Sequence, residues 1–203
     1  MISILDYGVG NLGSMMNMLK RLGADAQIVS DPAELASAQK VLLPGVGSFD
    51  YGIRQLTNLG FLEPLRHLAA DGAIPLLGVC LGMQMLGTAS EEGTLEGLGL
   101  IDAECHRFSF PSDPSLKVPH MGWNLIDTSQ DSPLVLNLPG DSRFYFVHAY
   151  HMVCADPADV LATTEYGGPF VSMVQHGNVY GAQFHPEKSH RFGMQILKNF
   201  AAL

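Results

Sequence analysis

Ile74-Pro75-Leu76-Leu77-Gly78-Val79-Cys80-Leu81-Gly82-Met83-Gln84-Met85-Leu86 runs from an almost wholly apolar stretch into a cysteine set between two glycines. The stretch from Ile74 to Val79 reads as a strand buried on both faces, and Leu81 to Leu86 as a helix. Cys80 falls where the strand stops. Upstream, strand and helix alternate. Ile2 to Leu5, Ala26 to Val29 and Lys40 to Leu43 are short apolar strands. Between them Asn11 to Leu22 carries Leu12, Met15, Met16 and Leu19 on one helical face, with Gly23 as the stop. Ser30-Asp31-Pro32 opens a short helix with a capping residue and an early proline. Two helical stretches follow, Phe49 to Asn58 and Leu62 to Asp71. This alternation predicts an α/β fold: an open, mostly parallel central sheet with helices on both faces. Sites in such sheets lie at the carboxyl ends of the strands, where Cys80 and the loop Pro44-Gly45-Val46-Gly47 both fall.

Downstream the chain is richer in strands: Arg143 to Val147, Ala162 to Glu165, Phe170 to Gln175 and Val179 to Gln183. His176-Gly177-Asn178 reads as a hairpin turn. A helix from Ser189 or His190 to Leu203 closes the sequence, and Phe108 to Ser115 reads as a surface loop. There is no repeat or linker-like segment, so residues 1–203 read as one domain.

Gly78-Val79-Cys80-Leu81-Gly82 has the form of a nucleophile elbow with cysteine in place of serine. A tight strand-to-helix turn strains the nucleophile's backbone and lifts its side chain clear of the sheet, and flanking glycines let neighbouring backbone approach. The helix beginning at Leu81 points its N-terminus at the sulfur, which favours thiolate. The Leu81 N–H is then a natural oxyanion-hole donor. A cysteine nucleophile needs a base, and the base an orienting acceptor. His185-Pro186-Glu187 supplies both, Glu187 holding one imidazole nitrogen and leaving the other for Cys80. The Pro44–Gly47 loop is the second half of the oxyanion hole, through the N–H of either Val46 or Gly47. Cys105 and Cys154 lack such a context and read as core residues. The other histidines show no metal-ligand spacing, so neither metal nor cofactor is expected.

Net charge is −9, from 11 basic and 20 acidic residues. Such a chain repels nucleic acid and anionic membrane, which removes both as partners. No apolar run approaches the roughly 20 residues of a membrane helix. An odd, small number of cysteines and no signal-peptide pattern predict a reducing compartment, the cytoplasm.

These motifs resemble the class I glutamine amidotransferases, and the resemblance covers essentially the whole chain. Its carriers are Asp6-Tyr7-Gly8-Val9-Gly10-Asn11-Leu12, Pro44-Gly45-Val46-Gly47, Gly78 to Gln84, Phe146-Val147-His148 and His185-Pro186-Glu187-Lys188-Ser189. Pro119-His120-Met121-Gly122-Trp123-Asn124 is similar to one branch, the glutaminase subunits of imidazole glycerol phosphate synthases. The resemblance implies a flavodoxin-like fold and a Cys80–His185–Glu187 triad that hydrolyses L-glutamine to glutamate and ammonia through a thioester. It implies that Gln84 and the Ala149–Tyr150 backbone grip the substrate's amino-acid end. Ala149 stands where a hydroxyl residue is common, so any hydroxyl contact there is lost. It further implies a heterodimer with a (β/α)8-barrel cyclase subunit of histidine biosynthesis, which makes imidazole glycerol phosphate and AICAR from the channelled ammonia. Lys188, Trp123 and Asn124 would lie at that interface. Activity would wait on the partner, which drives a peptide flip in the Pro44–Gly47 loop. Rival readings are a glutaminase subunit serving another synthase, a cysteine hydrolase or peptidase, and a degenerate, non-catalytic subunit.

Overall fold

In the computed structural model, which describes every residue except Asp71 and Ala73, the first half is built as strand–helix units. These are β1 (Ile2–Leu5), α1 (Leu12–Arg21), β2 (Ala26–Val29), β3 (Lys40–Gly45), α2 (Phe49–Asn58), α3 (Leu62–Ala70), β4 (Leu76–Cys80) and α4 (Leu81–Met85). The Asn11 side chain caps α1 by accepting from the Ser14 N–H at 3.2 Å. Asp31 does the same for a 3₁₀ turn over Pro32–Ser37, the short helix expected after Ser30. The helix predicted to reach Asp71 is described as far as Ala70; Asp71 itself lies outside the described residues.

The second half comprises β5 (Ala89–Ser90), β6 (Ala103–Arg107), β7 (His120–Leu125), β8 (Asp127–Thr128), β9 (Arg143–His148), β10 (Tyr150–Cys154), β11 (Val160–Glu165), β12 (Pro169–His176), β13 (Val179–Ala182) and α5 (His190–Ala202). β2, β1, β3, β4 and β13 lie side by side in that order, all parallel. This is the flavodoxin-like order 2-1-3-4-5, and it is the predicted parallel sheet. Beyond β13 the sheet continues antiparallel through β12, β10 and β6, with β11 also paired to β12. β7 and β9 form a separate antiparallel ribbon.

Alternation along the strands feeds two cores, one on each face of the sheet. Ile2 and Ile4 of β1, Leu42 of β3 and Leu77 and Val79 of β4 point towards Met15 and Leu19 of α1, Ile196 and Leu197 of α5, and the phenylalanines of β9. Leu5, Val41, Leu43 and Leu76 point towards Phe49, Leu56 and Leu65 of α2 and α3. A strand covered on both faces has little polar alternation, and all five residues of β4 are buried.

One sequence expectation is revised, and three strands, β6, β7 and β10, fall where the sequence reads as neither strand nor helix. Phe108, expected on a surface loop, is buried, stacked on His151 with ring centroids 4.6 Å apart and edge-on to Phe170 at 5.3 Å.

Candidate active site

The register of the parallel sheet brings three separate segments to one place. Gly45 pairs with Cys80 across β3 and β4, and Ala182 pairs with Val79 across β13 and β4. The loop after β3, the end of β4 and the segment after β13 therefore open into one cavity of about 250 Å³, which is lined by Val46, Gly47, Cys80, Leu81 and His185, among others.

Cys80 has φ 56° and ψ −112°, a positive φ that a side-chain-bearing residue adopts at a cost of about 1–3 kcal/mol. The turn is held by glycines for want of space. A Cβ at Gly82 would sit 1.9 Å from the Leu43 carbonyl oxygen, and one at Gly78 would sit 2.6 Å from the Gly82 carbonyl oxygen. A Cβ at Gly45 would meet the Gly82 nitrogen at 2.7 Å. Close packing of β3, β4 and α4 thus holds the cysteine in its strained conformation, with its side chain in the cavity.

His185 and Glu187 are joined through Nδ1 and Oε1 at 2.8 Å, and their side chains are 3% and 4% exposed. The segment is pinned from three sides. The His185 N–H donates to the Tyr145 carbonyl at 2.9 Å. The Ser189 hydroxyl donates to the His185 carbonyl at 2.6 Å and accepts from the Tyr145 N–H at 3.0 Å. Gly193 of α5 lies so close to Pro186 that a Cβ there would be 1.9 Å from its carbonyl oxygen.

Burial lowers the His185 pKa, but the pull of Cys80 and Glu187 outweighs it and lifts the value to about 9. Nε2 of His185 is nonetheless a buried nitrogen with no hydrogen-bonded partner. Cys80 and His185 line the same cavity, and the sulfur and the Glu187 carboxylate together favour a proton on the imidazole. Catalytic hydrogen bonds often tighten only around substrate. The result is a cysteine beside a protonated imidazole whose other nitrogen is fixed by a buried carboxylate. That arrangement suits attack on a carbonyl followed by proton delivery to a leaving nitrogen.

Among the described residues the N–H groups of Val46 and Gly47 meet no turn, loop or side-chain acceptor, and Gly47 has φ 104°. The Leu81 N–H begins α4, where no helical carbonyl reaches it. All three expected oxyanion-hole residues therefore border the cavity. Gln84, Ala149 and Tyr150 border it too. Gln84 Nε2 donates to the Tyr150 carbonyl at 3.0 Å and to Gln183 Oε1 at 3.1 Å. Lys188 lines the rim, its Nζ 5.7 Å from the centroid of the Tyr145 ring. Trp123 stands apart on β7, 46% exposed and stacked on His190 at 5.2 Å. Asn124 faces the other way. Its amide donates to the Glu165 carbonyl at 2.9 Å and lies 3.4 Å from His120 Nε2.

Gln183 and Glu92 carry no sequence signal of a site role, and Tyr7 stands out only as part of the Asp6–Leu12 stretch. Gln183 donates to the Cys80 sulfur at 3.8 Å; it reads simply as the last residue of a strand. Tyr7 is fully buried and donates to the Pro44 carbonyl at 2.6 Å, bracing the loop after β3. Burial, and then the charge of Cys80, raise its pKa. Glu92 places a carboxylate at the cavity wall while accepting from the Phe49 N–H at 2.8 Å; only the folded chain brings it there. Burial pushes the Cys105 thiol up to about 12, which suits the core role read for it. Among the described residues no group of three or more His, Cys, Asp or Glu could hold a metal ion, and no helix is long and apolar enough to cross a membrane.

Comparison with known proteins places these features in a family. The profile of the family described as glutamine amidotransferase class-I matches residues 3–203. The chain is 49% identical to imidazole glycerol phosphate synthase subunit HisH 2 of Methanococcus maripaludis, over 98% of each chain. It is 48% identical to the subunit of the same name from Pseudomonas aeruginosa and to subunit HisH of Leptospira interrogans, in each case over 100% of both chains. Among solved structures, PurLQS from Thermotoga maritima superimposes with a TM-score of 0.73 at 18% identity, covering 98% of this chain and 96% of the other. A protein described as a glutamine amidotransferase superimposes with a TM-score of 0.72 at 20% identity, covering 100% and 99%. At those identities the structures speak for the fold alone.

Proposed function

The chain belongs to the class-I glutamine amidotransferase family, and from that premise we propose that it is the glutaminase subunit of an imidazole glycerol phosphate synthase in histidine biosynthesis. The observation that carries the catalytic reading is His185, which lines the cavity that holds the strained Cys80 and is held from behind by the buried Glu187 carboxylate at 2.8 Å. The sulfur attacks the side-chain amide carbon of glutamine. The oxyanion that forms accepts from the Leu81 N–H and from the N–H of Val46 or Gly47. His185 passes its Nε2 proton to the amide nitrogen, the C–N bond breaks, and ammonia leaves a thioester on Cys80. His185, now neutral, takes a proton from water; hydroxide adds to the thioester, the C–S bond breaks, and glutamate departs with its carboxyl proton lost to solvent, leaving the thiolate beside the reprotonated imidazole. Glu187 holds the imidazole's orientation throughout.

The amino-acid end of glutamine carries both a cation and an anion. Glu92 at the cavity wall suits the ammonium. The Tyr150 backbone and Gln84 make up the polar wall beside it, where Ala149 offers backbone only. In this reading residues 1–203 act as one amidotransferase domain in the cytoplasm, bound to a (β/α)8-barrel cyclase that consumes the ammonia. Lys188 and Trp123 present surface to that partner, and Asn124 acts from behind the strand. Partner binding flips a peptide of the Pro44–Gly47 loop to aim its N–H into the cavity.

The test is glutamate release by the chain alone, with the cyclase subunit, and with the cyclase subunit plus its nucleotide substrate. Turnover rising strongly across the three supports the proposal. Equal turnover in all three removes the gating, and no release in any of them removes the glutaminase assignment.

A further inference from the structure

We infer that His148 is a positioning residue for glutamine hydrolysis, holding the Tyr150 carbonyl through a hydrogen-bonded chain that begins at Asn124 on β7 and ends at the Cys80 sulfur. The protonation pattern of this chain follows from one fact: a carbonyl oxygen only accepts. His148 Nδ1 lies 2.7 Å from the Tyr150 carbonyl, so Nδ1 carries the hydrogen. In a neutral ring Nε2 is then an acceptor, and its partner, His120 Nδ1 at 3.2 Å, must donate. His120 Nε2 becomes an acceptor in turn, facing the Asn124 amide nitrogen at 3.4 Å. The remaining groups of Asn124 are already committed. Its second N–H donates to the Glu165 carbonyl, and its Oδ1 accepts from the Leu125 N–H at 2.9 Å. Every donor meets an acceptor only if both rings are neutral and carry their hydrogen on Nδ1.

The surroundings enforce neutrality. Both histidines are buried among aromatic rings: Phe108, Phe146 and Phe170 lie within 5.7 Å of the His148 centroid, and Phe146 and Phe170 within 5.5 Å of that of His120. Burial, together with the neighbouring His120, His151 and His185, takes the His148 pKa down to about 3 despite its bond to Tyr150. Burial alone takes His120 down to about 4.

At its far end the chain meets the reaction site. The Tyr150 carbonyl fixed by His148 also accepts from Gln84; Gln84 donates to Gln183, and Gln183 to the sulfur. His148 thus sets the position of the wall against which substrate is gripped. At the near end, β7 exposes Met121 and Trp123 on its outer face, 61% and 46% exposed, while its inner face supplies His120 and Asn124. A displacement of this strand therefore reaches the substrate wall without passing through the triad.

The kinetic part of this inference rests on the glutaminase reading; the tautomer part does not. Long-range ¹H–¹⁵N correlation spectra of the full chain with ¹⁵N-labelled histidine report each ring's protonation. Neutral rings with hydrogen on Nδ1 are expected for both His120 and His148 at pH 7; hydrogen on Nε2, or a charged ring, overturns the chain whatever the enzyme's activity. In the complex with the cyclase, His148→Leu is expected to raise the KM for glutamine about ten-fold, the size of one lost hydrogen bond to a polar partner, with a smaller change in kcat. His148→Asn, which keeps an N–H near the Nδ1 position, is expected to recover most of that loss. An unchanged KM in His148→Leu, or equal losses in the two variants, overturns the positioning role. Should His148→Leu not fold, His120→Leu and His120→Asn make the same comparison one link further out.

Discussion

Replacing Cys80 by glycine and by alanine separates the strain of the elbow from the chemistry of the thiol. At an ordinary position glycine is less stabilising than alanine by about 0.5–1 kcal/mol, because the unfolded chain has more freedom to lose. At position 80 the backbone sits at φ 56° and ψ −112°. Alanine retains the cost of holding a Cβ there, about 1–3 kcal/mol, and glycine is free of it. Subtracting the two effects leaves Cys80→Gly more stable than Cys80→Ala by about 1 kcal/mol, or about 2–4 °C in Tm for a chain of this length. Both lack the sulfur, so neither forms a thioester and the comparison is clear of catalysis. Urea denaturation of the two variants, with matched m-values, measures the difference. If Cys80→Gly is instead less stable than Cys80→Ala by the ordinary margin, the elbow stores no strain, and the glycines around it do not serve to hold one.

Removing the Glu187 charge by Glu187→Gln is expected to lower kcat by about 10²- to 10³-fold, within the range of a lost general acid–base contribution. It should also bring the His185 titration, expected near pH 9 by NMR, downwards. Because that folded-state pKa is raised above the ordinary 6.5, the stability it contributes is complete below about pH 6.5 and is lost as pH rises through about 9; denaturation midpoints across that range check the sign. Gly82→Ala drives a Cβ to 1.9 Å from the Leu43 carbonyl oxygen and should cost at least about 3 kcal/mol by chemical denaturation. Gly13→Ala on α1, where nothing lies within 4 Å, should cost nothing and gain up to about 1 kcal/mol. Glu92→Gln keeps an oxygen for the Phe49 N–H but removes the charge, so the KM for glutamine should rise about ten-fold with kcat little changed.

What was legible in the residues follows from how locally each feature is encoded. Four of the five parallel strands are short apolar runs separated by helical segments with plain stop signals, so their existence and order along the chain could be read directly; the fifth, β13, was legible as a strand after a hairpin turn. The elbow is local as well: five residues state that a nucleophile stands at a strand end, and His185-Pro186-Glu187 states a base with its acceptor just beyond β13. Strands β6 and β10 of the antiparallel extension, and β7 of the separate ribbon, were hidden because their partners are distant in sequence. His120, His148 and His151 look polar in sequence, yet pack against Phe108 and Phe170 once β7, β9 and β10 are assembled. Phe108 was misplaced for the same reason, its prolines and serines downstream outweighing one ring. Gln183, Tyr7 and Glu92 act at the site only through register and loop packing. Trp123 and Asn124 were read as a pair, but adjacent residues of a strand face opposite ways, and the structure turns one outward and the other toward His120.

The central claim is that Cys80 alone attacks glutamine, with His185 as its proton carrier. Intact-mass spectrometry after exposure to a glutamine-mimicking electrophile tests it most directly, using the chain bound to the cyclase subunit. A single adduct at Cys80 is expected, slowed in His185→Ala and absent in Cys80→Ala. An adduct at Cys105 or Cys154, or labelling that survives in Cys80→Ala, would contradict it.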